Sequence, residues 1–245
     1  ADYLNGLVHI YCGDGKGKTT AALGLALRAA GNGVPVVIAR FLKNDGSGEV
    51  GILENVPGVY LFHCERQFGF TWTMSEEQKA EAGEYFTGLF ERAWEMGCKT
   101  ARESVEGAGK ADGCMAGENW GSDSVSDGSS RRDIGVWGAG ASVSGSLVSW
   151  SPVSVPPASA PLTSPPCEIR ALLVLDEIMA AVNSGFVANE SLLAALDHRP
   201  DDLEVVLTGR GPSKELLSRA DYVTEMRAVK HPYEKGVGAR KGVEY

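Results

Sequence analysis

Short apolar runs alternate along this chain with longer segments in which apolar residues recur at helical spacing. Continuous apolar runs are typical of strands in a parallel sheet that helices cover on both faces. Ser75, followed by Glu76, Glu77 and Gln78, has the character of a helix N-cap and opens a long amphipathic stretch. The predicted strands are residues 7–11, 34–41, 59–63, 170–175, 203–207 and 222–226, and the predicted helices are 20–30, 75–102, 192–197 and 213–219. This order predicts one α/β domain with a mostly parallel sheet.

Residues 104–167 break the pattern. Of these 64 positions, 14 are Ser, 10 are Gly and 6 are Pro, and the apolar residues follow neither a helical nor a strand period. Such a composition cannot bury enough apolar surface to offset the ordering of the chain, so we predict a disordered insert. A small packed subdomain is the alternative. The first part of the domain is then 1–103 and the second is 168–245. Because the insert enters at the beginning of the strand 170–175, it should lie at the edge of the sheet opposite the carboxyl ends of the strands, where open α/β sheets bind ligands.

Composition excludes several classes of function. A net charge of -9 gives no overall attraction to nucleic acid or to an anionic membrane. No apolar stretch approaches the ~20 residues of a membrane span, and residues 1–5 lack the features of a signal peptide. The five cysteines are scattered without a CxxC pair, which favours free thiols in a reducing cytoplasm and argues against a zinc site. We therefore expect a cytoplasmic protein without nucleic-acid or membrane partners.

A glycine-rich run between the first strand and the first helix carries the strongest chemical signal: Gly13-Asp14-Gly15-Lys16-Gly17-Lys18-Thr19-Thr20. Strand, glycine-rich loop and Gly-Lys-Thr at the start of a helix form the order of a P-loop. The loop N–H groups and the helix N-terminus favour phosphate, Lys18 can reach phosphate oxygens, and the Thr19 hydroxyl suits Mg²⁺. The run predicts ATP binding in a P-loop NTPase-like (RecA-like) fold, whereas the alternative is a plain surface turn.

Polar residues follow two later strands at the same predicted edge. Asp176 and Glu177 end the strand 170–175, where a P-loop protein holds Mg²⁺ or Mn²⁺ directly or through water. Their alternative role is to stabilise a helix N-terminus. Arg210, after the strand 203–207, is placed to pair with phosphate oxygens, although a solvated surface arginine is the alternative. These residues do not identify which bond of the nucleotide breaks.

Further segments resemble a known family. Residues 6–20 carry Cys12 where the general P-loop motif has its first glycine, residues 175–185 continue from the acidic pair, and the tail from 220 contains Lys230-His231-Pro232-Tyr233. With the cluster Phe68-Gly69-Phe70-Thr71-Trp72, these segments resemble the P-loop ATP:corrinoid adenosyltransferase family. The resemblance covers residues 6–102 and 169–245.

The resemblance implies an unusual use of ATP. In the family, the cobalt(I) of a reduced corrinoid attacks the 5′ carbon of ATP and expels triphosphate, with the nucleotide reversed in the P-loop. The candidate catalytic residues are then Lys18, Thr19 and Glu177, and Thr19, Asp176 and Glu177 are the candidate Mg²⁺ ligands. The implied partners are cobalamin, cobinamide or cobyrinic acid diamide, a reduced flavin or flavoprotein as electron donor, and a second copy of the chain.

The same resemblance assigns a role to two aromatic residues. By residue type alone, Phe70 and Trp72 are core aromatics. The family's aromatic pair packs below the corrin and displaces its lower axial ligand, which makes cobalt(II) easier to reduce because axial ligation tunes a metal's potential. Arg40 departs from the family pattern, which has glutamine at that position.

Two rival functions use the same nucleotide site. An ordinary P-loop ATPase would use Asp176 to hold Mg²⁺ and Glu177 to activate water, and it would release ADP and phosphate. A regulatory module would bind ATP without turnover. We favour the transferase because the motif and its flanking segments agree.

Overall fold

A parallel sheet at the centre of the fold explains why the chain alternates between apolar runs and amphipathic segments. The computed structural model describes residues 6–43, 47–64, 66, 68, 73–108 and 169–243. These residues form a six-stranded sheet in which every pair of neighbouring strands is parallel. Helices cover both faces, so the predicted α/β class is confirmed.

The elements follow the predicted order. The strands are β1 Val8–Cys12, β2 Val36–Arg40, β3 Val59–Phe62, β4 Ala171–Asp176, β5 Leu203–Thr208 and β6 Tyr222–Glu225. The helices are α1 Lys18–Gly31, α2 Glu49–Leu53, α3 Glu76–Ala108, α4 Ile178–Asn183, α5 Asn189–Asp197 and α6 Lys214–Arg219, with a 3₁₀ helix at Pro232–Lys235.

The sheet order is β3-β2-β4-β5-β1-β6, which brings the ends of β1, β2, β4 and β5 close together. In the register of β2 and β4, Arg40 lies opposite Asp176. In that of β1 and β5, Tyr11 lies opposite Thr208. The carboxyl ends of four neighbouring strands therefore meet at one edge, where open α/β sheets bind ligands.

Each face of the sheet has its own core. Ala22, Ala26 and Ala29 of α1 pack closely on one face because their side chains are small. On the other face, Phe86 of α3 is fully buried and its ring lies 6.2 Å from Phe41. Burial of one such side chain contributes roughly 1.5–3 kcal/mol. The strand between these cores, β4, is buried along its whole length, as its uninterrupted apolar run predicts.

The pattern missed some short elements, among them α2 and α4, and several boundaries, such as the start of α5 at Asn189 instead of 192. The five-residue helix α2 was not predicted because one turn carries too little periodicity to detect. Helix α3 ends at Ala108 rather than at 102, because the shift in composition does not coincide with the end of the helix. The rest of the predicted insert, 109–167, lies outside the described residues. The chain re-enters at residues 169 and 170, next to the amino end of β4.

Candidate active site

The glycine-rich run forms the turn between β1 and α1, as predicted. Gly13 and Gly17 have φ angles of 102° and 112°, which glycine adopts without the strain that a side chain would bring. Helix α1 begins at Lys18, directly after Gly17. Because Gly17 has no side chain to cap the helix, the first N–H groups of α1 remain available to a ligand in the loop. The turn thus has the geometry of an anion-binding loop.

The C-terminal segment after β6 packs against this loop and forms hydrogen bonds with its backbone. The Gly15 N–H donates to the Met226 carbonyl at 2.7 Å, and the Met226 N–H donates to the Cys12 carbonyl at 2.8 Å. A Cβ added to Gly13 would lie 2.3 Å from the Met226 oxygen, which explains why glycine is required there. The Ala228 N–H donates to Asp14 Oδ1 at 3.1 Å and holds the pKa of Asp14 below its usual value.

Lys18 is directed into the loop. Its Nζ donates to the carbonyls of Gly13 at 2.7 Å and Gly15 at 2.8 Å, and the residue is only 9% exposed. Burial lowers the pKa of Lys18 below its usual value, and the nearby negative charge of Glu177 opposes that shift. A phosphate entering the loop would therefore meet a partly desolvated ammonium group.

Asp176 is the centre of a buried hydrogen-bond cluster. Its side chain is fully buried, and Oδ1 accepts from Thr208 Oγ1 at 2.7 Å and from Thr19 Oγ1 at 3.0 Å. Thr208 Oγ1 also accepts the Glu177 N–H at 2.8 Å, so one hydroxyl links the two acidic residues. A buried carboxylate needs such donors because desolvation penalises its charged form.

The other predicted side chains are those of Glu177, Arg210, Thr20 and Lys16. Glu177 has a φ of 64°, an uncommon conformation for a residue with a side chain, and its charge acts on Lys18. Arg210 follows β5 and is exposed, and its positive charge contributes to the lowered pKa values of Lys18 and Asp14. Thr20 is exposed in the first turn of α1, and Lys16 is exposed in the loop.

Comparison with known proteins decides which P-loop family this is. The model of the ATP:corrinoid adenosyltransferase BtuR/CobO/CobP family matches residues 4–104 and 160–245. The chain belongs to this family. The match includes the P-loop, the acidic pair and the C-terminal segment that packs on the loop, and it leaves out residues 105–159.

Curated relatives agree with this family assignment. A corrinoid adenosyltransferase of Salmonella typhimurium is 30% identical over 241 residues, with 98% of this chain and 86% of the relative covered. A corrinoid adenosyltransferase of Pseudomonas aeruginosa is 26% identical over 241 residues, with 98% of this chain and 84% of the relative covered. The protein is therefore an enzyme of the corrinoid adenosyltransferase type, with ATP and a corrinoid as substrates.

Sequence reasoning assigned no role to Thr208, and it also missed a lysine that contacts the site of this transferase. Lys43 lies just beyond β2, and its Nζ is 2.5 Å from Thr19 Oγ1 and 2.5 Å from Asp176 Oδ2. Its position after a buried strand that pairs with β4 could have indicated it. Arg40, the departure from the family pattern, is 1% exposed and directs its guanidinium toward Ser47 and Glu49 at the start of α2.

The residues at the cluster suit a hard divalent cation. Thr19, Asp176 and Glu177 offer hydroxyl and carboxylate oxygens, the ligands that Mg²⁺ prefers. The ammonium group of Lys43 already bridges Thr19 and Asp176 as a positive charge. Within the described ranges, no three His, Cys, Asp or Glu side chains come together as a metal site.

The predicted corrinoid residues, Phe70 and Trp72, lie outside the described residues. Described residues just before them are anchored to α3: the ring of Phe68 lies 5.4 Å from those of Tyr85 and Phe86, and Arg66 donates to Glu81 at 2.6 Å.

A cavity of about 510 Å³ adjoins the other side of the loop. It lies between Lys16 and the C-terminal segment, and its lining includes Arg227, Lys230, Arg240 and Tyr233. Positive charge therefore extends beyond the loop although the chain as a whole is acidic. No helix in the described part of the chain is long and apolar enough to cross a membrane.

Proposed function

We propose that this transferase moves the 5′-deoxyadenosyl group of ATP to the cobalt(I) of a reduced corrinoid and releases triphosphate. The observation that carries the proposal is the P-loop with a buried Asp176–Thr19–Thr208 cluster in a chain of this family. ATP lies reversed in the loop, so the adenosine end points toward the corrinoid.

The bond changes need little proton transfer. The electron pair of cobalt(I) forms the cobalt–carbon bond at C5′, while the pair of the C5′–O bond leaves with the triphosphate oxygen. Cobalt thereby ends formally as cobalt(III). Since this nucleophile requires no general base, the protein contributes mainly by aligning the reactants, which is worth up to about 7–11 kcal/mol in well-oriented systems.

Charge on the leaving group is the second task of the site. Lys18 and the N–H groups of the loop, other than the Gly15 N–H that donates to Met226, stabilise the triphosphate as negative charge gathers on it. Arg210 pairs with phosphate oxygens from the adjacent strand end. Thr19, Asp176 and Glu177 hold Mg²⁺, or Mn²⁺, which supplies further charge neutralisation when bound.

The corrinoid side of the proposal depends on Phe70 and Trp72. They pack below the corrin and keep the lower axial ligand away, so that a reduced flavin or flavoprotein can deliver the electron to cobalt(II). The substrate is cobalamin, cobinamide or cobyrinic acid diamide. The proposed working form is a cytoplasmic homodimer.

An anaerobic product analysis tests the reaction. ATP, Mg²⁺, a chemical reductant and cob(II)alamin are incubated with the protein, and corrinoid and phosphate products are quantified. We expect a light-sensitive cobalt–carbon product and triphosphate in equal amounts. Release of ADP and phosphate regardless of corrinoid would indicate the ATPase instead, and ATP binding without turnover would indicate the regulatory module.

A second experiment tests the axial-ligand role. Trp72→Ala should slow the reaction that starts from cobalt(II) much more than the reaction of pre-reduced cobalt(I). Trp94→Ala is the control, because Trp94 packs on Phe90 within α3, with the two ring centroids 5.8 Å apart. It should leave the ratio of the two rates unchanged. Equal losses in both assays for Trp72→Ala would remove the role.

A further inference from the structure

Lys43 contacts the two oxygens that a metal ion would need. Its Nζ lies 2.5 Å from Thr19 Oγ1 and 2.5 Å from Asp176 Oδ2. Thr19 Oγ1 also donates to Asp176 Oδ1 at 3.0 Å. The side chains of Lys43, Thr19 and Asp176 therefore all contact one another. An ammonium group and a divalent cation cannot occupy the same space between these oxygens.

The backbone directs Lys43 to this place. Phe41, the residue after β2, is fully buried, and its N–H donates to the Asp176 carbonyl at 2.9 Å, which continues the pairing with β4. Leu42 then has a φ of 53°, a left-handed conformation that is strained for a residue with a branched side chain. This turn places Lys43 on the carboxylate of Asp176. The strain persists only because the surrounding contacts impose it.

Burial makes a cation necessary there. The Asp176 side chain is fully buried, whereas that of Lys43 remains 25% exposed. A carboxylate without a partner is strongly destabilising in such a place. The exposed part of the Lys43 side chain leaves its flexible stem a path to move, while Asp176 has none.

We propose that Lys43 is a resident counter-cation that occupies the metal position in the nucleotide-free protein and is exchanged for Mg²⁺ when the metal–nucleotide complex binds. The inference rests on the metal site of the proposed function and extends it. After the exchange, the ammonium pairs with the polyphosphate. When Mg²⁺ binds without nucleotide, it displaces the Lys43 ammonium from Asp176, and no polyphosphate is there to pair with that ammonium. The affinity for the metal is therefore low until nucleotide is present.

Binding of Mn²⁺, followed by electron paramagnetic resonance, tests the exchange. Without nucleotide, we expect Lys43→Met to bind Mn²⁺ about tenfold more tightly than the natural chain, which lies in the usual range of coupling between ligands. With ATP present, the difference should shrink to below about threefold, because the polyphosphate then compensates for the displacement in the natural chain. Lys99→Met is the matched control, since Lys99 is a surface residue 3.7 Å from Glu103. It should change neither affinity.

A second variant and a second measurement separate charge from folding. Lys43→Arg keeps the charge and should keep the weak Mn²⁺ binding of the natural chain. In thermal melts, Lys43→Met should unfold at a lower temperature, and Mg²⁺ should raise that temperature more than it does for the natural chain, because ligands stabilise the state that binds them.

The outcomes distinguish this inference from the proposed function. Equal nucleotide-free Mn²⁺ affinity in Lys43→Met and the natural chain would overturn the exchange while leaving the metal site intact. The same holds if Lys43→Arg behaves like Lys43→Met. Absence of Mn²⁺ binding to the natural chain even with ATP would instead overturn the metal site itself.

Discussion

The polar side chains around Asp176 at the carboxyl edge of the sheet are more deeply buried than the ion pair of Arg170 and Asp202 at the amino edge. At the carboxyl edge, Asp176 and Thr208 are fully buried and Lys18 is 9% exposed. At the amino edge, Arg170 and Asp202 form an ion pair of 2.9 Å whose side chains remain 35% and 21% exposed. The same parallel strands supply both edges. A different pair at the amino ends, His9 and Glu204, is 13% and 12% exposed, so only the complete burial of the Asp176 carboxylate sets the carboxyl edge apart and calls for a reason.

Energetics indicate that the reason is function. A buried ion pair often stabilises a protein no more than apolar residues of the same size, because desolvation offsets the attraction. Partly exposed pairs such as the one at the amino edge contribute roughly 0–1 kcal/mol. In a site that excludes water, however, fixed charges stabilise a charged leaving group far more than they would in solution. The contrast predicts that equal changes at the two edges have unequal effects on activity.

The largest effect is expected for Lys18→Ala. This change removes the buried ammonium that faces the leaving triphosphate in the proposed reaction, so turnover should fall at least about 1,000-fold, effectively abolishing it. ATP affinity, measured by calorimetry, should also fall. Lys214→Ala removes an exposed lysine of α6 and should leave both quantities unchanged. Comparable activity in the two variants would mean that the loop does not hold the reacting nucleotide.

A smaller loss is expected for Gly13→Ala, since the new Cβ would lie 2.3 Å from the Met226 oxygen at a φ of 102°. The loop must shift, and a displacement of about 1 Å can cost roughly 100-fold in rate. Gly24→Ala, in α1, is the matched control because a Cβ there meets no atom within 4 Å. It should stabilise the protein by about 0.5–1 kcal/mol in denaturant unfolding. Full activity of Gly13→Ala would contradict the role of the C-terminal segment in shaping the loop.

The smallest effects compare one polar contact at each edge. Thr208→Val leaves Asp176 Oδ1 and the Glu177 N–H without a shared partner, so the free energy of unfolding should drop by about 1–3 kcal/mol. Asp202→Asn at the amino edge should cost at most about 1 kcal/mol. Turnover should fall for the first variant alone. If both variants lost activity equally, the distinction between the edges would have no functional meaning.

Candidate site residues could be predicted where a short sequence motif and its flanking elements are enough to identify them. The P-loop from Gly13 to Thr20 needs only a strand before it and a helix after it, and both are present. Asp176 could be assigned for the same reason, since it ends a continuous apolar strand. The six strands and a mostly parallel sheet followed from hydrophobic runs separated by helical segments, whereas the order of the strands in the sheet was not predicted.

Residues that act across strands were harder to predict. Lys43 reaches the site because β2 lies beside β4 and because Leu42 turns the chain, neither of which periodicity reveals. Thr208 reads as the end of a strand, yet its hydroxyl links Asp176 to Glu177. The support of the loop by Met226 joins residues more than 200 positions apart, so only the fold could show it.

The central claim is that the loop holds a departing triphosphate while cobalt attacks the sugar carbon. ATP with a heavy oxygen isotope in the bridge between C5′ and the first phosphorus tests this claim most directly. With reduced corrinoid, mass spectrometry should find the label in free triphosphate and a corrinoid that carries the adenosyl carbon. Label retained in ADP, with phosphate released, would contradict the claim.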